Sequence, residues 1–124
     1  MVHSWVYVEI SNLERKHSKK VKALVDTGAS LTTLPKKISD ELKIKPTSHE
    51  QVSTAAGIIK VWRGEAWIKV NGKEGPFSIW ISEIIDKVLL GVIVLESLGF
   101  KVDPKTGKFE ERSLLLYDES QGVY

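Results

Sequence analysis

The dipeptide Asn71-Gly72, set between two runs rich in β-branched and aromatic residues, constrains this chain more than any other feature. Asn-Gly accepts the left-handed backbone that a two-residue hairpin turn requires, so antiparallel strands are expected on both sides. Upstream, Ile58 to Val70 has strand composition, with a break expected at Gly64. Downstream, Phe77 to Ile85 sets Phe77, Ile79 and Ile81 against Ser78, Trp80 and Ser82, the period of a strand with one buried face. The same period recurs in Trp5 to Ser11, where Val6, Val8 and Ile10 alternate with Trp5, Tyr7 and Glu9. Val21 to Val25, Leu31 to Leu34, Val88 to Leu90 and Ser113 to Tyr117 read as further short strands, and two more flank the turn Asp103 to Gly107. Residues 12–20 and 47–54 are polar and read as a turn and a loop. Lys36 to Lys43, with Ile38 and Leu42 four apart, and Val92 to Leu98, closed by Gly99, each suit a helix of about two turns. Many short strands with one or two short helices make the chain all-β.

At 124 residues the chain is expected to form a single domain spanning 1–124, and its 42% apolar and 27% charged residues are those of a globular protein. The net charge of +2 is too small to imply a nucleic-acid or membrane partner. Its distribution is uneven, +5 over residues 1–70 and −3 over 71–124. Much of the excess lies in Arg15-Lys16-His17-Ser18-Lys19-Lys20, which reads as a solvated turn. A small β-barrel binding nucleic acid through residues 15–22 and exposed tryptophans is the alternative. Cysteine is absent, which removes disulfides, thiol nucleophiles and cysteine zinc sites. His3, His17 and His49 stand far apart and none has a partner at ligand spacing, so no metal is expected. There is no glycine-rich phosphate loop, and no cofactor is expected. The N-terminus lacks the pattern of a signal peptide and no apolar run reaches the length of a membrane span, so the expectation is a soluble, cytoplasmic protein. Only four Asn and Gln occur beside abundant Lys, Glu, Ile and Val, a balance like that of heat-adapted proteins.

Chemistry concentrates in Leu24-Val25-Asp26-Thr27-Gly28-Ala29-Ser30, where an apolar strand ends at an acid followed by small residues. Such a turn can be one in which the aspartate caps its own backbone. Equally, the glycine allows a tight bend that presents the carboxylate to a cleft beside backbone N–H groups. No histidine is placed to form a Ser-His-Asp triad with Ser30. A second apolar-apolar-glycine segment, Leu89-Leu90-Gly91, leads into the second helix 65 residues after Asp26.

These two segments resemble the paired signatures of aspartic proteases. The continuation from Leu95 to Gly107 is similar to small single-domain members of the retropepsin-like group, and the likeness spans about residues 5–118. The resemblance implies a closed, barrel-like all-β protomer that forms a two-fold homodimer and hydrolyses peptide bonds. Asp26 would be the catalytic carboxylate. Thr27 would bond to its symmetry mate across the dimer axis, Gly28 would lie under the substrate, and Ala29 and Ser30 would line the cleft floor. Leu89 would wall a side-chain pocket, and Gly91 would allow its strand to approach the loop closely. The family's mobile hairpin, the flap, would have its tip at Thr54-Ala55-Ala56-Gly57-Ile58, bringing Ala56, Gly57 and Ile58 to the substrate; an ordinary loop accounts for these residues as well. Retroviral members commonly carry an acid after the Ala and an Arg after the later Gly. Here Ser30 and Val92 stand at those places, so both charges are missing together.

Hydrolysis by carboxylates alone needs a base for water and an acid for the carbonyl oxygen. Two adjacent carboxyls sharing one proton supply both, since like charges about 3 Å apart do not both ionise. The chain holds one Asp-Thr-Gly, and Asp40, Asp86, Asp103 and Asp118 lack its context. A dimer with one Asp26 from each copy follows, and isologous dimers are the commonest oligomers. Trp5 to Ile10 and Leu114 to Tyr117 would either pair across that interface or close the protomer's own sheet. Trp62 and Trp67 fall near the expected flap, where they would contact peptide or pack inside. A catalytically silent dimeric peptide-binding module of the same fold is the other reading.

Overall fold

A computed structural model describes residues 4–103, 105–106 and 108–111. The strands are β1 (Trp5–Ser11), β2 (Ser18–Asp26), β3 (Thr32–Pro35), β4 (Ser48–Thr54), β5 (Gly57–Val70), β6 (Lys73–Ser82), β7 (Val88–Gly91), β8 (Phe100–Val102) and β9 (Phe109–Glu111). Two short helices, α1 (Lys36–Glu41) and α2 (Val92–Ser97), complete it. The strand expected at Ser113 to Tyr117 lies outside the described residues.

Asn71 and Gly72 both take positive φ, 48° and 82°, and the chain reverses in two residues so that Val70 faces Lys73. From this turn β5 and β6 pair antiparallel as far as Trp62 and Ile81. Strand β6 therefore starts at Lys73, earlier than the alternation beginning at Phe77 indicates, and it ends at Ser82. Strand β5 continues through Gly64, where a break was expected. A Cβ there would stand 3.3 Å from Ile81 and 3.5 Å from Ile44, so the missing side chain makes room for two core residues.

Six strands close on themselves. Strand β1 pairs antiparallel with β2 and, on its other edge, with β5; β2 pairs parallel with β7, β7 antiparallel with β3, and β3 parallel with β6. This leaves an all-β barrel with no free edge among its members. Its interior is filled by the inward half of each alternation, including Ile10, Leu34, Ile68, Ile79, Ile81 and Leu90, all wholly buried. Strand β4, expected as a polar loop, pairs only with the first half of β5 and lies outside the barrel. It buries neither face in the core, so its sequence carries no apolar alternation.

Only the first half of the basic run lies in a turn, at residues 12–17, held by Asn12 Oδ1 accepting from the N–H groups of Lys16 and His17; Ser18, Lys19 and Lys20, expected in the turn, already belong to β2. Arg15, Lys19 and Lys20 of the run, and Lys22 just beyond it, find partners within the chain. Arg15 lies 4.5 Å from the Trp67 ring centre, Lys20 and Lys22 stand over Tyr7 and Trp5, and Lys19 bonds Glu41 at 2.6 Å. The hydrogen bond from Lys19 holds the Glu41 carboxyl below its ordinary range. The tie between β2 and α1 is therefore complete at neutral pH and is lost as pH falls through that lowered value.

Nothing lies within 4 Å of a Cβ built on Gly72, so Gly72→Ala isolates the conformational term of the turn. We expect a loss of about 1–2 kcal/mol, the cost of left-handed backbone for an L-residue. Urea unfolding should report it as a lower midpoint at unchanged slope.

Candidate active site

Strand β2 delivers Asp26 to its C-terminal end beside Gly91 of the parallel strand β7. The loop that follows is shaped by Asp26 itself. Its Oδ1 accepts the Gly28 N–H at 2.9 Å, and its carbonyl accepts the Ala29 N–H at 3.1 Å. The aspartate thus caps its own backbone, yet its half-buried side chain also faces a cavity. Among the described residues none bonds its Oδ2.

The loop is fastened from behind. Gly91 N–H donates to the buried Thr32 hydroxyl at 3.0 Å, and Val92 N–H donates to the Ala29 carbonyl at 3.2 Å. A Cβ on Gly91 would fall 2.7 Å from the Leu31 carbonyl carbon, 2.8 Å from the Thr32 nitrogen and 2.9 Å from the Ser30 oxygen. All three are backbone atoms, so no side-chain rotation relieves the overlap.

The cavity in front of Asp26 has a volume of about 510 Å³. Asp26, Gly28, Ala29, Ala56 and Leu89 line it, and Thr27, Ser30, Gly57 and Ile58 do not. Thr27 and Ser30 are exposed on the loop, and Ile58 is 71% exposed. Strand alternation explains Ile58: Ile59 and Val61 turn toward the cavity, so their neighbour turns away. Above the cavity β4 and β5 form a hairpin whose tip is Ala55-Ala56, with Thr54 opposite Gly57. The Thr54 hydroxyl accepts the Ala56 N–H and donates to the Gly57 carbonyl, which fixes the tip.

Sequence reasoning did not find Val52, Ile59, Val61, Thr33, Trp80, Ile84 or Ile85, which also line the cavity. It looked to Trp62 and Trp67 instead. Trp62 packs against the core, and Trp67 bonds Glu74 and lies under Arg15, away from the site. Trp80 had a readable signal, since it alternates with the buried Ile79 and Ile81 and so faces the other way. Among the described residues, no group of three or more His, Asp or Glu side chains could hold a metal ion, and no helix is long and apolar enough to cross a membrane.

A closed six-strand barrel with an aspartate loop pinned to a second strand, under an overhanging hairpin, is the fold of the retropepsin-like aspartic proteases. Residues 15–97 match the family described as "gag-polyprotein putative aspartyl protease", and the chain belongs to that family. The fold is similar to EIAV protease, solved in complex with the inhibitor HBY-793, at TM-score 0.67 and 20% identity, over 82% of this chain and 92% of that one. It is also similar to a retropepsin-like aspartic protease from Rickettsia conorii, at TM-score 0.54 and 24% identity, over 82% and 84% of the two chains. Simian foamy virus protease matches at TM-score 0.54 and 24% identity, over 77% and 94%. No curated protein matches the chain significantly.

Gly91→Ala should lower stability by about 1–3 kcal/mol or more, the range for overpacking against unyielding atoms. Thr32→Val keeps the shape but leaves the Gly91 N–H without its hydroxyl acceptor, for a loss of about 1–3 kcal/mol. Chemical unfolding of both variants measures the two halves of the clamp separately.

Proposed function

We propose that the protein is an aspartic endopeptidase whose active site is completed by a second copy of the chain. The observation that carries this reading is that Asp26 is the one titratable side chain among the described residues lining the cavity. One carboxylate cannot serve as base and acid in the same step. Two Asp26 side chains brought together on a two-fold axis share a proton and do both: the ionised oxygen takes a proton from water, and the protonated one donates to the carbonyl oxygen. The Gly28 N–H already occupies Oδ1, which fixes the carboxylate plane before substrate arrives.

In this reading Thr27, exposed beside Asp26, meets its symmetry mate and locks the two loops. Gly28, Ala29 and Ser30 flank the substrate, Leu89 walls a side-chain pocket, and the hairpin tip with Ala56, Gly57 and Ile58 closes over the peptide as a flap. The outward Ile58 then serves contacts made on closure or with the second copy. One domain across 1–124, a soluble cytoplasmic setting, peptide as the ligand, and no cofactor, nucleic acid or membrane complete the proposal. The second reading, a silent peptide-binding dimer, draws on the capping role of Asp26, which holds the loop together without any turnover.

Asp26→Asn should retain the fold and dimer while activity on a peptide library falls by at least about 10²–10⁴-fold. Specific activity should decline on dilution through the dimer dissociation constant, and excess Asp26→Asn chain should poison the wild type through mixed dimers. A fully active monomer in sedimentation overturns the proposal. Peptide binding without hydrolysis by the wild type selects the silent module.

A further inference from the structure

The register of the sheet sets a single lateral row of side chains beneath the cavity. Leu89 on β7 stands opposite Thr33 on β3, Thr33 opposite Trp80 on β6, and Trp80 opposite Arg63 on β5. Residues opposite one another share a face of the sheet, about 4.5–5.5 Å apart at Cβ where the strands are antiparallel. Leu89, Thr33 and Trp80 line the cavity, whereas Arg63, next in the row, does not. The cavity floor therefore dips over the small Thr33 between two larger residues and stops at the indole.

The indole is held. Its Nε1–H donates to Glu50 Oε1 at 2.5 Å, and the same oxygen lies 2.8 Å from Arg63 Nε in an ion pair. Glu50 sits on β4, so its carboxylate reaches across β5 to a strand of the barrel. A tryptophan fastened at its only donor cannot swing aside for a long substrate side chain without breaking a charge-assisted bond.

We propose that Trp80, positioned by Glu50, is the specificity-determining wall of a subsite over Thr33 that admits aliphatic side chains and turns away aromatic ones. The inference rests on the peptidase reading for its substrate class, but its geometry concerns binding alone. Thr33 supplies the floor, Leu89 and Trp80 the side walls, and Val52 and Ile59 of the hairpin the apolar cover. Glu50 acts through the indole and does not touch the ligand.

The test uses peptides that differ at one position between Leu and Phe, scored by kcat/KM on the dimeric wild type and by affinity for the Asp26→Asn protein. Wild type should favour Leu. Trp80→Leu should raise the Phe-to-Leu ratio by about tenfold or more, the scale of discrimination for small changes in an apolar pocket. Glu50→Ala should shift the ratio the same way, while Glu50→Gln, whose amide oxygen still accepts the indole N–H, should keep the wild-type ratio. A merely structural role for Glu50 would scale both peptides equally. The Glu50 pair carries the test if Trp80→Leu does not fold. Hydrolysis with unchanged ratios in every variant overturns the inference and leaves the peptidase standing. Shifted affinity ratios in the Asp26→Asn background without any hydrolysis by wild type overturn the peptidase and leave the subsite. Failure of all peptides to bind overturns both.

Discussion

The close approach of Gly91 to the backbone of Ser30, Leu31 and Thr32 is the constraint from which the rest of the site follows. Strands β2 and β7 run parallel, so each brings its C-terminal end to the same side of the barrel, and each must leave the sheet there. Without a side chain on Gly91 the loop leaving β2 passes directly over the end of β7 and enters β3 on its far side. That crossing places β3 between β7 and β6 and so closes the barrel. It also sets Thr33 opposite Leu89, which begins the row on which the cavity stands. The acidic loop and the cavity floor are two results of one steric allowance.

The join between this loop and α2 is made by the main chain. Where retroviral relatives of the sequence pattern carry a charged pair, this chain has Ser30 and Val92, and the link is the Val92 N–H donating to the Ala29 carbonyl. No carboxylate and guanidinium have to leave water together, so the desolvation that burdens such a pair does not arise. The orientation of the loop depends on peptide geometry and not on the ionisation of a neighbour.

Legibility from the sequence divides along physical lines. The turn at Asn71-Gly72, the strand ending at Asp26 and the glycine after Leu89-Leu90 were readable because each is a local backbone demand met by a particular residue type. Strand β1 appeared with its correct bounds because one of its faces is buried. Strand β4 was missed although its partner β5 follows after only Ala55 and Ala56, because neither of its faces enters the core and its sequence therefore carries no apolar alternation to tell it from a loop. Gly64 misled for the opposite reason: its space is filled by Ile44 and Ile81, a tertiary fact that no window around residue 64 contains. In the candidate site, Asp26, Gly28, Ala29 and Leu89 came with the motifs. Trp80 and the hairpin residues Val52, Ile59 and Val61 reach the cavity only through sheet register, which the motifs do not encode.

Strand β6 presents two surfaces with separate duties. Ile79 and Ile81 face the barrel interior and are wholly buried, while Trp80 and Ser82, which alternate with them, face the cavity. Substitutions at sites with no shared partners combine nearly additively. A lineage carrying this fold can therefore exchange residues on the outer surface of β6, and on a hairpin that contributes little to the core, while the barrel keeps its margin of stability. The residues facing the cavity can then change while the scaffold is kept, and the same fold is found in proteins that share only 20% and 24% of their residues with this chain.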